Sequence, residues 1–206
     1  MPEQLRAMLG TLERTTLAGA RDAALLLIGY ATAARISELV AVDQADAVES
    51  VEGLLVTMYR RKIRKHTESA VPYGRDPVTC PVRALRSYRA LLAAEGRHGG
   101  PLFVRIDRHG RIAEPMYRRG TPIGDPSGRI TPRAAADVVA RCADAAGLTG
   151  QWSGHSLRRG FATAARRDGA DLEVIGRHGG WADGSRALLG YIEDADRWTT
   201  NPVAGL

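Results

Sequence analysis

The sequence predicts a mainly helical α+β domain with a small antiparallel β-sheet on one edge, and three observations point there. Residues 19–33 are almost uniformly apolar over several helical turns, as in a helix buried on all sides. Proline follows a capping position at Pro81 and at Pro132, and each opens a stretch of helical apolar spacing that a glycine closes, Gly96 and Gly147. Two β-type runs, residues 53–60 and 68–73, flank a dense basic stretch and read as strands of one hairpin. At 206 residues the chain fits a single domain of roughly 100 to 200 residues.

Taken in order, residues 2–14 form a short amphipathic helix with Leu5, Met8, Leu9 and Leu12 on one face, followed by the apolar helix 19–33. Arg35-Ile36-Ser37-Glu38-Leu39-Val40 leaves that helix, with Ser37 and Asp43 offering local capping chemistry. The hairpin comes next, its cations Arg60, Arg61, Lys62, Arg64, Lys65 and His66 expected at or near the tip. A helix from Pro81, capped by Thr79 or Cys80, runs to about Glu95 and buries Leu85, Tyr88, Leu91 and Leu92. Residues 99–128, rich in Gly, Pro and Arg, read as an irregular connection with one strand-like piece at 101–106. Thr131 caps a helix to about Ala146 with Val138, Val139 and Cys142 inward, and three more helices fit residues 156–168, 171–177 and 184–192.

Lysine and arginine total 29 against 23 acidic residues, a formal charge of +6, and the concentration of cations on the hairpin suits a polyanionic partner. Cys80 and Cys142 lack the paired spacing of a metal site or a disulfide framework, which favours a reducing compartment. The longest apolar run, residues 23–28, is too short to span a bilayer, and the first residues carry no signal-peptide pattern, so the expected address is the cytoplasm. With no P-loop and no metal-ligand spacing, neither nucleotide nor metal is expected as a cofactor.

Three local patterns carry chemistry only when read together. Arg35 and Glu38 make an i,i+3 charge pair, ordinary in itself, but one that leaves a rigid apolar platform with the guanidinium fork free to meet a phosphate. In Ser153-Gly154-His155-Ser156-Leu157-Arg158, His155 and Arg158 share a face at the start of a helix, where the backbone field favours an anion. Gly179-Gly180-Trp181 precedes Tyr191, and either aromatic alone would pass for core.

The order of these elements, arginine, basic hairpin, His-x-x-Arg, Gly-Gly-Trp and a late tyrosine, resembles the tyrosine recombinase (phage integrase) family over nearly the whole chain. The resemblance implies an integrase-like catalytic core that performs site-specific DNA recombination, integration or excision, through a 3′-phosphotyrosine intermediate. It implies Tyr191 as nucleophile, Arg35 and Arg158 as phosphate clamps, His155 as the basic residue between them, Trp181 as the later His or Trp, and Glu38 as the acidic partner of the first arginine. The family's hairpin lysine matches Lys62, with Lys65 as rival, and Arg60, Arg61, Arg64 and Lys65 are expected to contact DNA.

Attack on an anionic phosphodiester needs cations and donors aimed at its non-bridging oxygens, a task for Arg35, Arg158 and the indole N–H of Trp181. A phenol with a reference pKa near about 10 needs a proton acceptor, for which His155 is the candidate. The leaving 5′-oxygen needs a proton, which the resemblance assigns to Lys62.

Two departures from the family stand out. Relatives carry a separate helical DNA-binding domain ahead of the catalytic one, and residues 1–206 read as the catalytic domain with that core-binding domain absent. Ten positions separate Trp181 from Tyr191, about one more than the family pattern, which leaves His178 as a competitor for the role of Trp181. The tail from Ile192 to Leu206, with Trp198, either docks on a neighbouring protomer, as in the family's synaptic tetramers on double-stranded DNA, or packs on its own domain. Location on the nucleoid would follow. The alternatives to an enzyme are a truncated module that docks on DNA or on a recombinase without turnover, and a basic helical protein whose motif matches are coincidental.

Overall fold

In the computed structural model, which describes residues 1–196, the apolar helix sits at the centre as α2 (Leu17–Ala31). Thr16 caps it, its hydroxyl accepting from the Gly19 N–H at 3.1 Å. Leu25, Leu26 and Ile28 are fully buried, each contributing roughly 2 kcal/mol relative to an exposed side chain. Asp22, also buried in α2, is paired with Arg21 at 2.7 Å and with Arg141, so its own charge is compensated.

Other helices surround α2. On it pack α1 (Pro2–Gly10), α4 (Pro81–Ala94), α5 (Pro132–Ala145) and α6 (Gly154–Arg167), with α3 (Ile36–Leu39) as a single turn beyond its C-terminus. The predicted proline starts of α4 and α5 hold to the residue, and the Thr131 hydroxyl accepts from the Ala134 N–H at 3.1 Å. The sheet lies at the edge in the order β1 (Ala47–Glu49), β2 (Gly53–Arg60), β3 (Lys65–Pro72), antiparallel throughout, and α7 (Leu172–Gly179) and α8 (Arg186–Asp196) complete the C-terminal side. A second, smaller core of Ala33, Ala162, Ile175, Trp181 and Leu188, flanked by Phe161, Tyr191 and Ile192, fixes α7 and α8 against α6.

Several boundaries differ from the sequence reading. Helix α1 ends at Gly10 rather than 14, because the Thr11 N–H and hydroxyl both turn back to the Met8 carbonyl. Helix α2 stops at Ala31 because Ala33 takes a left-handed φ of 48°. The second hairpin strand starts at Lys65, not 68: Arg60 pairs with Lys65, leaving a four-residue turn from Arg61 to Arg64. Residues 101–106 make isolated bridges rather than a strand, and an unexpected exposed hairpin, β4 (Met116–Arg118) and β5 (Thr121–Ile123), rises from the irregular segment. Among the described residues no helix is long and apolar enough to cross a membrane.

Candidate active site

The site grows from the left-handed turn after α2. Reversal at Ala33 buries its backbone and aims its carbonyl across to α6, while Arg35 resumes an extended conformation and caps α3. There Glu38, buried, takes the Arg35 N–H on Oε2 at 3.1 Å and the Arg35 guanidinium on Oε1 at 2.7 Å. Oε2 also accepts from Arg60 Nη1 at 3.0 Å. Burial pushes the Glu38 carboxyl up, but the hydrogen bonds from the two guanidiniums outweigh it and hold the group below the usual range.

Helix α6 brings the second arginine. Ser153 and Ser156 form a reciprocal cap, the Ser153 N–H donating to Ser156 Oγ at 3.0 Å, and Gly154 lets the helix start lie against Ile36, where a Cβ would come within 2.6 Å. One turn on, Arg158 is buried, its Nη1 donating to the Gly179 carbonyl at 2.5 Å and to the Ala33 carbonyl. Its Cζ lies 3.5 Å from the centre of the Trp181 ring, a close cation–π contact. Its Nη2 is buried with no hydrogen-bond partner among the described residues. Burial first, then the charges of Arg35 and Arg60, pull Arg158 down to about 9, opposed by Glu38 and Tyr191.

Trp181 joins arginine to tyrosine. Its ring meets Tyr191 edge-on, with centroids 6.4 Å apart at 76°, so the half-buried phenol sits in the same cluster as Arg158 within one chain. Exposed His155 and Tyr191 both line a cleft of about 500 Å³, whose walls include Ser153, Trp152 and Arg159. By contrast, His178 stacks on Phe161 with centroids 4.9 Å apart and has Nε2 2.6 Å from the Ala31 carbonyl, so it is Trp181 that lies on Arg158.

Gly179 is what allows that stacking, since a Cβ there would fall 1.9 Å from Trp181 Cζ3. Gly179→Ala is expected to displace the indole, lowering the melting temperature by several degrees for a cost of roughly 1–3 kcal/mol and shifting tryptophan emission to the red. Unchanged emission and melting would contradict the packing described.

The hairpin cations divide. Arg61, Lys62, Arg64 and Lys65 are exposed, Lys62 in the turn and Lys65 in β3, while Ile63 and Thr67 share a groove with Trp181 and Leu188, so the hairpin tip lies over the start of the α7–α8 connection. Arg60 corrects the sequence expectation. It is fully buried, not displayed to DNA, because β2 turns Leu54, Val56, Met58 and Arg60 to one inward face. That alternation was readable in the sequence, but the run of neighbouring cations masked it. Arg159 and Trp152 in the cleft carried no sequence signal. Of the tail, Ile192 to Asp196 complete α8, with Asp196 paired to Arg166 at 2.9 Å, while residues 197–206, Trp198 among them, lie outside the described residues.

A profile of the Phage integrase family matches residues 1–197, and the chain belongs to that family. It is 32% identical over 179 residues to the integrase/recombinase XerD homolog of Selenomonas ruminantium, covering 85% of this chain and 48% of that protein. Against tyrosine recombinase XerD of Mycobacterium tuberculosis it is 32% identical over 155 residues, covering 75% and 42%. The chain thus spans about half the length of these relatives. In fold it is similar to XerH site-specific recombinase bound to palindromic difH substrate in a post-cleavage complex, with a TM-score of 0.68 at 17% identity, covering 99% of this chain and 51% of that one. A lambda integrase (residues 75–356) dimer bound to a COC′ core site gives 0.60 at 13% identity, covering 96% and 59%.

Proposed function

We propose that this chain is the catalytic domain of a tyrosine-type site-specific DNA recombinase that cuts and rejoins double-stranded DNA through Tyr191. The phenol oxygen attacks phosphorus, the bond to the 5′-oxygen breaks, and a 3′-phosphotyrosine with a free 5′-hydroxyl results. Attack by another 5′-hydroxyl reverses the step on a new strand, and because the ester conserves the bond no nucleotide cofactor is consumed. Arg35 and Arg158 hold the non-bridging oxygens, with Trp181 stacked on the Arg158 fork to fix its plane and offering its N–H to the same anion. His155 takes the phenol proton, and Lys62 from the hairpin gives one to the leaving oxygen. Arg61, Arg64 and Lys65 neutralise flanking phosphates, so binding should weaken steeply with salt. Assembly as a tetramer on DNA, exchange of the C-terminal segment between protomers, and a place on the cytoplasmic nucleoid belong to the same reading.

One observation carries it: a buried guanidinium with Nη2 unpartnered among the described residues, beside a tyrosine and a carboxylate-held second arginine. A buried donor left unmade costs about 1–3 kcal/mol, which a phosphate oxygen would recover. The test is a pool of nicked duplexes of randomised sequence, in which cleavage beside the nick frees a short strand and traps the adduct. The wild type is expected to form SDS-resistant protein–DNA adducts and Tyr191→Phe none. Salt-sensitive binding without adducts would instead make the chain a docking module.

A further inference from the structure

We infer that Arg60 is a positioning residue, which fastens the root of the Lys62 hairpin to the Glu38 carboxylate of the phosphate-binding cluster. Its catalytic half rests on the phosphotyrosine reading; its anchoring half does not.

Arg60 is the last residue of β2, and only Arg61 separates it from Lys62. Its side chain is fully buried and every guanidinium nitrogen is used: Nη1 to Glu38 at 3.0 Å, Nη2 to the Thr32 carbonyl at 3.3 Å and Ser69 Oγ at 3.4 Å, and Nε to Thr67 Oγ1 at 3.1 Å. The side chain therefore spans both hairpin strands, the end of α2 and α3. It also lies under the glycine pair, Nε being 3.0 Å from where a Gly180 Cβ would sit.

The rest of this strand face is Leu54, Val56 and Met58, so an apolar residue would continue it without burying a charge. A guanidinium there is costly to desolvate, and what it adds over methionine is direction: a planar fork that fixes several oxygens at once. Arg35 stays on the other carboxylate oxygen, Oε1, through its own contact. Loss of Arg60 should therefore loosen the hairpin more than it loosens Arg35.

The two halves can be separated by chemistry. In a nicked duplex whose scissile phosphate carries a bridging 5′-sulfur, attack by the phenol breaks the P–S bond and a thiolate departs. With a thiol pKa of about 8.5 against a far more basic alkoxide, that departure needs no proton from Lys62. Arg60→Met is expected to lose about 10²-fold or more in adduct formation with the ordinary oxygen substrate, the scale of a misplaced general acid, but less than about 10-fold with the sulfur substrate. Arg60→Lys, which keeps a cation beside Glu38 but not the fork, secures a folded variant with the same pattern in smaller degree. Equal losses on both substrates would overturn the positioning role.

Hydrogen exchange reads the anchor without activity. Amides of residues 61–65 are expected to exchange about 10-fold faster in either variant while those of α5 do not change, and unchanged hairpin exchange would overturn the anchor. Were the wild type to form no adduct on either substrate, the phosphotyrosine reading would fall together with the catalytic half, and exchange would still decide the anchoring half.

Discussion

Arg158→Ala is expected to abolish adduct formation and to destabilise the fold at the same time. The carbonyls of Ala33 and Gly179 lose their shared donor, and each buried acceptor left unmade costs about 1–3 kcal/mol. Trp181, whose ring rests on the guanidinium, loses that support too. Arg158→Lys separates the two effects. An ammonium can still reach one of these carbonyls, but it has no second nitrogen in a fixed plane to meet phosphate, so the fold should survive while cleavage falls by about 10²- to 10³-fold. Adduct yield and thermal denaturation, measured on both variants, check this; a lysine variant that cleaves like the wild type would deny Arg158 the clamp role.

Glu38→Gln is expected to cost about 3–5 kcal/mol, the scale for removing one partner of a buried ion pair, because Arg60 would be left charged and enclosed. The pH dependence has a definite sign. Glu38 is held below its ordinary value of 4.5, so its contribution is fully present above that value and is lost as pH falls through the lowered folded value. The wild type should therefore lose stability on acidification from about pH 5 downward more steeply than Glu38→Gln, and urea midpoints across that range would show the two curves converging. Parallel curves would mean the carboxylate is not held by the two guanidiniums in solution.

Much of this arrangement was legible in the chain. Proline after a capping position placed the starts of α4 and α5 to the residue, and the apolar run placed α2 within two residues at each end. The spacing of Arg35 to Glu38 gave a true contact, since three residues after an extended cap bring the carboxylate back to the cap's own N–H. What escaped depended on tertiary contacts or on backbone geometry without a local marker. Ala33 adopts a left-handed φ that its residue type does not announce, and its carbonyl is what Arg158 needs. The choice between His178 and Trp181 turned on which ring faces Arg158, a matter of helix phase at the left-handed Gly180 cap. The β4–β5 hairpin hid in Gly- and Pro-rich sequence because all its residues are exposed and no apolar alternation marks it.

During cleavage one phenol of this chain should become joined to a DNA 3′-phosphate. Tryptic digestion of the trapped adduct followed by mass spectrometry reads it directly, since residues 187–197 form a single peptide with one tyrosine. A 3′-phosphonucleotide is expected on Tyr191 in that peptide. A nucleotide carried by any other residue would contradict it.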